Sequence, residues 1–182
     1  MLGRYSFVVT VLVALLVTAA LFLANPSPAP AVGATLTVTT LADGLTDDDE
    51  CSLREAVKVS RENSVAVVND CGVTAGSSVD PDTIVLEGGQ TYTLALPGPE
   101  GNDTLDLDLH QASAGPLIIE SSTTTNAVID GADADRVLDV AMGANITLDH
   151  LTIQNGSSTA GGGGIKTSGT LTVNDSTISG NV

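Results

Sequence analysis

Most of the chain alternates between apolar and polar residues with a period of two, the pattern of half-buried β-strands. Leu36 and Val38 share one face with threonines on the other, and leucines alternate with aspartates over residues 104–109. Glycine, aspartate and asparagine separate these runs, as is typical of turns. The pattern predicts a series of short strands, and the remaining predicted strands are 83–86, 91–96, 116–120, 127–130 and 137–140.

An internal repeat decides the predicted fold. Residues 145–155 match residues 170–180, at an offset of 25, in the order of their threonine and aliphatic positions, and a weaker copy lies at 127–131. Strands repeated at this spacing stack, so that equivalent residues lie one above the next at about 4.8 Å. The predicted inward-facing aliphatic column comprises Ile129, Ile153 and Ile178.

The one strong helix signal follows Cys51. Ser52 and Glu55 have the spacing of a capping box, in which the serine hydroxyl accepts the Glu55 N–H and the glutamate accepts the Ser52 N–H. Apolar and small residues then recur at helical spacing, with charged residues on the other face. The pattern predicts a helix over about 53–62, with Arg54 on the charged face.

Residues 51–56 read Cys-Ser-Leu-Arg-Glu-Ala, and this hexapeptide resembles the motif that names the CSLREA-domain family. The members are secreted proteins in which a short N-terminal module precedes a right-handed parallel β-helix of the pectin-lyase-like fold. The resemblance covers roughly residues 35–182. It implies a scaffold and not a particular reaction.

The repeat and the resemblance lead to one predicted fold, an all-β right-handed parallel β-helix (solenoid) with an N-terminal capping α-helix. The first coil of a solenoid exposes apolar core and unpaired strand edges, which an amphipathic helix would cover. The predicted domains are a signal peptide at 1–31, a CSLREA-type cap at 32–81 and β-helix coils at 82–182. Because the last repeat strand lacks a closing element, we expect the coils to be incomplete at the C-terminus.

The N-terminal segment predicts export. Arg4 precedes an apolar run over residues 7–23, and prolines with small residues follow, in the order of a secretory signal peptide. Cleavage would follow Ala31 or Ala34, and the alternative is an uncleaved anchor. The cleaved chain would have no membrane span and would be secreted or held at the cell surface.

In an exported chain, an even number of cysteines predicts a disulfide, here between Cys51 and Cys71. The bond would close a loop of about 20 residues and contribute roughly 3 kcal/mol in the chain-entropy model. It would hold the helix to the segment after it. Two unrelated free thiols are the alternative.

Charge and composition limit the partners. The chain carries 22 Asp and Glu against 6 Lys and Arg, a net charge of −16, which opposes binding to nucleic acid or to an anionic membrane. Aromatic residues make up only 2%, which leaves few platforms for stacking sugars. The expected partners are an extracellular polysaccharide or a surface protein, and Ca²⁺ is the cation that the acidic residues would bind.

The β-helix fold hosts polysaccharide hydrolases and lyases, so clustered carboxylates near a basic residue are catalytic candidates. Glycosidases need two carboxyl groups at a set separation. Asp106 and Asp108 share one strand face and could converge outward. The alternative is that the aspartates occupy solvated outer faces and turns. The main catalytic candidates are Asp130, Asp133, Asp135 and Arg136.

An acidic turn before the helix is the candidate calcium site, because Ca²⁺ takes carboxylate oxygens. Its spacing does not fit an EF-hand, and the alternative is a solvated turn beside the helix N-terminus. His110 and His150 stand alone in the sequence, and we expect surface roles for both. The metal candidates are Asp43, Asp47, Asp49 and Glu50.

We therefore predict a secreted or cell-surface scaffold with a structural or adhesive, non-catalytic role. One alternative is a pectin lyase- or hydrolase-like enzyme that degrades polysaccharide, or a fragment of one. A second alternative is an extracellular binding module stabilised by Ca²⁺.

Overall fold

The computed structural model describes residues 33–62, 70–71, 80–99, 101, 103–109 and 115–182. All of them fall within one compact unit, Ala31–Val182. The predicted signal peptide at 1–31 and His110 lie outside the described residues. In the part that is described, no helix is long and apolar enough to cross a membrane.

Twelve short strands and one helix make up the regular structure of the described residues. Helix α1 (Leu53–Glu62) lies between the first and second strands. The strands are β1 (Thr35–Thr37), β2 (Asp82–Leu86), β3 (Thr91–Thr93), β4 (Leu107–Leu109), β5 (Leu117–Ser121), β6 (Ala127–Asp130), β7 (Leu138–Val140), β8 (Asn145–Asp149), β9 (Leu151–Gln154), β10 (Ile165–Thr167), β11 (Thr170–Asn174) and β12 (Thr177–Ser179).

The strands form three parallel sheets. The first sheet has the order β1-β2-β5-β8-β11, the second β3-β6-β9-β12, and the third β4-β7-β10. From β2 onward, successive strands belong to the first, second and third sheet in turn, and we call one such run of the chain a pass. This is a mostly β structure with one short helix, as the alternating pattern predicted. Strand β1, which belongs to the predicted cap segment, pairs with β2 and so joins the first sheet.

Strand register places the predicted equivalent residues side by side. Residues 145–149 of β8 are the Cα partners of residues 170–174 of β11, at the predicted offset of 25. Ile153 is the partner of both Ile129 and Ile178, and Tyr92 continues the same column beyond Ile129. Parallel pairing therefore stacks large apolar side chains on one another through four strands of the second sheet.

Burial in this column depends on position in the sheet. Ile129 and Ile153 are fully buried, whereas Ile178 is 49% exposed. The reason is that Ile178 lies on β12, the edge strand of the second sheet within the described residues. The prediction of an inward column is correct in register, but its last member is only half covered.

Helix α1 has the predicted bounds and begins with the predicted capping hydrogen bonds. The Ser52 N–H donates to Glu55 Oε2 at 2.8 Å, and the Glu55 N–H donates to Ser52 Oγ at 3.1 Å. Cys51, directly before the cap, forms a disulfide with Cys71, which confirms the predicted pairing. The helix N-terminus is therefore fixed both by its own side chains and by a covalent bond.

Truncating the aliphatic column tests this packing. We expect Ile153→Ala to lower the free energy of unfolding by about 3 kcal/mol, because Ile153 is fully buried and its truncation leaves a cavity next to Ile129. The matched control, Ile178→Ala, should cost about 1 kcal/mol or less, since half of that side chain is already exposed. Urea unfolding followed by circular dichroism measures both. Equal losses in the two variants would contradict the observed register.

Candidate functional site

Arg54, which the helix pattern places on the charged face, is buried and only 2% exposed. Its guanidinium donates to both carboxylate oxygens of Asp43, at 2.6 and 3.0 Å. It also donates to the carbonyl oxygens of Leu105, at 2.7 Å, and Asp106, at 3.0 Å. The charged face of the helix is therefore covered at Arg54, and the planar guanidinium can satisfy all of these acceptors at once.

Asp43 is the other half of this buried ion pair, and its side chain is 5% exposed. One carboxylate oxygen also accepts the backbone N–H groups of Ala95 and Leu96, both at 2.7 Å. These bonds connect the turn before α1 to the segment after β3. Asp43 was a candidate calcium ligand, but its lone pairs are already engaged by one cation and two amides.

Two further contacts anchor the C-terminal half of the helix. The Ser60 hydroxyl donates to Asp82 at 2.9 Å, and Asp82 also accepts the Ala34 N–H at 2.8 Å. Lys58 pairs with Asp103 at 2.7 Å. Burial raises the pKa of Asp103, but hydrogen bonds and charges from Lys58 and Arg61 outweigh it and lower the pKa overall.

The rest of the acidic turn is exposed and lies beside the disulfide. Asp47, Asp49 and Glu50 are exposed, and Asp47 meets the carboxylate of Asp70, the residue before Cys71. A side-chain hydrogen bond with Asp70 and repulsion from its charge raise the pKa of Asp47. Glu55, by contrast, is buried, and loss of hydration raises its pKa against the hydrogen bonds from Ser52.

The three aspartates among the catalytic candidates, at the end of β6 and in the turn after it, make separate contacts. Asp130 accepts hydrogen bonds from Gln154 and Asn155, both at 2.8 Å, so it binds the next pass of the chain. Burial raises its pKa, but these bonds and one from the Ala132 N–H lower it overall. Asp133 is exposed, and Asp135 accepts the N–H of Arg136 next to it.

Arg136 is buried and joins a different set of carboxylates from the predicted one. It donates to Asp106 at 3.0 Å and to Asp139 at 3.2 Å. Its remaining donors bond the Gly162 carbonyl at 3.1 Å and the Ser158 hydroxyl at 3.2 Å. This guanidinium therefore crosslinks adjacent passes, and its donors point at protein acceptors.

Asp106 and Asp108 are buried, so neither lies on a solvated outer face. Asp108 is the Cα partner of Asp139, which is in turn the partner of Lys166. The Lys166 ammonium donates to Asp139 at 2.7 Å. Two carboxylates are thus neighbours in the third sheet, and Lys166 and Arg136 supply positive charge to Asp139. The alternation of leucine and aspartate over 104–109 reflects two covered faces.

A small cleft of about 110 Å³ opens beside this cluster. Asp135 and Arg136 lie at its wall, and the other walls are mostly apolar. Ligand pockets usually enclose roughly 300–1,000 Å³, so this cleft holds no more than a small group or one side chain of a partner. The remaining lining residues are Leu94, Ala95, Leu96, Pro97, Leu105, Gly131 and Ala134.

Two groups of residues bring three metal-binding donors within 4.8 Å of one another in the described part of the chain. One is Asp106, Asp108 and Asp139, where Arg136 and Lys166 already supply positive charge. The other is Asp149, His150 and Asp175. Neither includes a member of the acidic turn, so the residues best arranged for a cation differ from the predicted ones.

Comparisons with known proteins found no matching family model, no significantly similar curated protein and no significantly similar solved structure. Any function proposed for this chain therefore rests on its own sequence and geometry.

The buried Arg54–Asp43 pair generates a stability prediction. We expect Arg54→Met to lower the free energy of unfolding by about 3–5 kcal/mol, because it leaves a buried carboxylate and two carbonyls without their cation. Arg54→Lys should recover only part of this loss, since an ammonium cannot donate a planar fork. Denaturant unfolding of each variant measures the effect.

The matched control for this prediction is Lys166→Met, which removes a half-exposed cation from Asp139. We expect it to cost about 1 kcal/mol or less, as is usual for a surface pair. An Arg54→Met variant as stable as Lys166→Met would show that the buried pair does not hold the helix.

Proposed function

We propose that this chain is a secreted or cell-surface parallel β-helix scaffold with a structural or adhesive, non-catalytic role. The recurrence of strands in the first, second and third sheets supports a solenoid in which each pass is one coil. The hexapeptide at 51–56 opens α1, which packs beside β2 and β4, and so supports a CSLREA-type capping module. Right-handedness is the usual chirality of such parallel crossovers.

The observation that carries the non-catalytic role is where the charged side chains bind. Arg136 bonds Asp106 and Asp139, while Asp130 bonds Gln154 and Asn155 of the next pass. The hydrogen bonds of these groups link one pass of the chain to another. Charged groups that are engaged in contacts of this kind support a structural role.

Export and an extracellular location are supported by the disulfide between Cys51 and Cys71, because disulfides persist in oxidising compartments. The net charge of −16 favours neutral or cationic partners over nucleic acid. A neutral polysaccharide or a surface protein is the partner that we propose.

An enzyme is the second candidate, and the cleft at Asp135 and Arg136 favours it. A glycosidase needs a second carboxyl group at about 5–10 Å facing the same space. The cleft wall supplies one carboxylate, and the Arg136 guanidinium is held by other acceptors. We therefore rank this candidate below the scaffold.

A module stabilised by Ca²⁺ is the third candidate. The contact between Asp47 and Asp70 favours it, because a divalent cation could bind both carboxylates at once. Ca²⁺ bound there would also join the turn before α1 to the disulfide.

Deleting one whole pass tests the solenoid. Removing residues 145–169, the 25-residue offset that separates β8 from β11, would place β11 on β5 in the position of β8. Because each repeat contacts only its neighbours, we expect the shortened chain to keep a β-rich spectrum and cooperative unfolding. Circular dichroism and urea unfolding provide the readout.

A deletion of residues 145–156 is the control for this experiment, because it removes part of a pass and breaks the order of the sheets. We expect that variant to lose cooperative unfolding. If the whole-pass deletion unfolds as badly as the partial one, the passes are not interchangeable coils and the solenoid proposal fails.

Incubation with a panel of soluble and insoluble polysaccharides, with and without millimolar Ca²⁺, tests whether the chain binds polysaccharide without degrading it. We expect binding to at least one insoluble polymer or to a surface protein, with no release of reducing ends or unsaturated sugars. The unfolding midpoint is measured in the same two buffers, since the calcium candidate predicts a rise that Asp47→Asn removes.

Asp135→Asn is the matched variant, with exposed Asp133→Asn as its control. Product release that Asp135→Asn abolishes and Asp133→Asn retains would overturn the non-catalytic proposal. Absence of binding to every polymer and surface protein tested would overturn the adhesive role.

A further inference from the structure

Three metal-binding side chains from two successive passes meet at one corner of the fold. His150 lies between β8 and β9, and Asp175 follows β11 at the equivalent position 25 residues later. Asp149 ends β8 directly before His150. Each of the three residues offers one donor atom, and these atoms lie within 4.8 Å of one another. We propose that Asp149, His150 and Asp175 form a surface site for a divalent transition-metal ion such as Zn²⁺.

Backbone geometry directs these side chains to the same place. His150 and Asp175 both have left-handed backbone angles, with φ of 52° and 41°. Histidine and aspartate are among the residues that adopt this conformation more readily than most. A repeated left-handed corner in two stacked passes therefore turns both side chains out of the sheets in the same sense.

Hydrogen bonds between the passes hold the corner in place. The His150 N–H donates to the Asn174 carbonyl at 3.2 Å, and the Leu151 N–H donates to the Ser176 hydroxyl at 2.9 Å. Asp149 is the Cα partner of Asn174. The ligand-bearing backbone is thus fixed on both sides, so an ion needs only small side-chain movements to collect its donors.

The donor set selects the class of ion. Zn²⁺ binds imidazole nitrogen and carboxylate oxygen at about 2.0–2.2 Å, so donors around one ion lie within about 4.4 Å of each other. One nitrogen and two oxygens suit zinc, cobalt, nickel or manganese, whereas Ca²⁺ prefers oxygen alone. Asp149 also contacts His150 Nδ1, so these two donor atoms already face each other at the corner.

Local charge separates this corner from the other group of three donors. Asp106, Asp108 and Asp139 lie beside Arg136 and Lys166, which already neutralise carboxylates. At the corner, by contrast, the described residues form an ion pair between Asp149 and His150, and no Lys or Arg takes part in it. The corner is partly exposed, so water or a donor from another molecule could complete the coordination.

Metal titration of the full chain tests the proposal. After treatment with a chelator, isothermal titration with Zn²⁺ should give one ion per chain at this site, and Co²⁺ should give a visible absorption band. Ca²⁺ is the control ion and should bind at least about tenfold more weakly there. Zn²⁺ should also raise the unfolding midpoint, since it joins two passes in the folded state only.

The variants are His150→Asn and Asp175→Asn, with Asp133→Asn as the matched control. Asparagine tolerates the left-handed conformation, so His150→Asn removes the imidazole and keeps the corner. We expect each of the two variants to weaken Zn²⁺ binding more than tenfold, or about 1.4 kcal/mol. Asp133→Asn, which changes an exposed aspartate on the β6–β7 turn, should leave it unchanged.

Paramagnetic broadening of backbone amide signals by Co²⁺ locates the ion in the unaltered chain, so the proposal stays testable if a variant fails to fold. Broadening confined to residues 149–151 and 174–176 would support the site. Broadening centred on His110 or on the acidic turn, equal Zn²⁺ affinity in His150→Asn, or no Zn²⁺ binding would each overturn it.

Discussion

Parallel stacking of equivalent residues is the constraint on which the rest of the structure depends. Each strand takes its hydrogen bonds from the passes on either side, so a residue's environment is set by the residue 24 or more positions away. Ile153 is buried because Ile129 and Ile178 lie on both sides of it. The same rule stacks charges, as when Asp108, Asp139 and Lys166 form one column. In this column Lys166 and Arg136 both donate to Asp139, which offsets the repulsion between neighbouring carboxylates.

The charged residues fall into two classes with different consequences. Arg54 and Arg136 are buried and each satisfies acceptors from segments that are distant in sequence, which makes them crosslinks. The exposed aspartates of the turn before α1 make few contacts and keep the chain strongly anionic. Function as an attachment surface would use the second class, while the first class keeps the passes in register.

Sequence reasoning recovered what depends on local pattern. The helix bounds, the cap at Ser52, the disulfide and the offset of 25 all follow from spacing that is visible in the chain. It did not show that Arg54 and Asp106 are buried, because burial depends on which segment covers them. No periodicity shows that Asp43 meets Ala95, 52 residues away. The repeat shows that His150 and Asp175 are equivalent positions. It does not show that the backbone is left-handed at both of them.

The Arg54 contacts also have a consequence for the order of folding. The guanidinium binds carbonyls 51 and 52 residues later in the chain, and Asp43 binds amides equally far ahead. During synthesis, α1 therefore emerges well before the segment that completes its environment. Closing so long a loop carries an entropic cost that local helix formation does not. The helix can therefore form early, but Arg54 reaches its final contacts only after residues 105 and 106 have been synthesised.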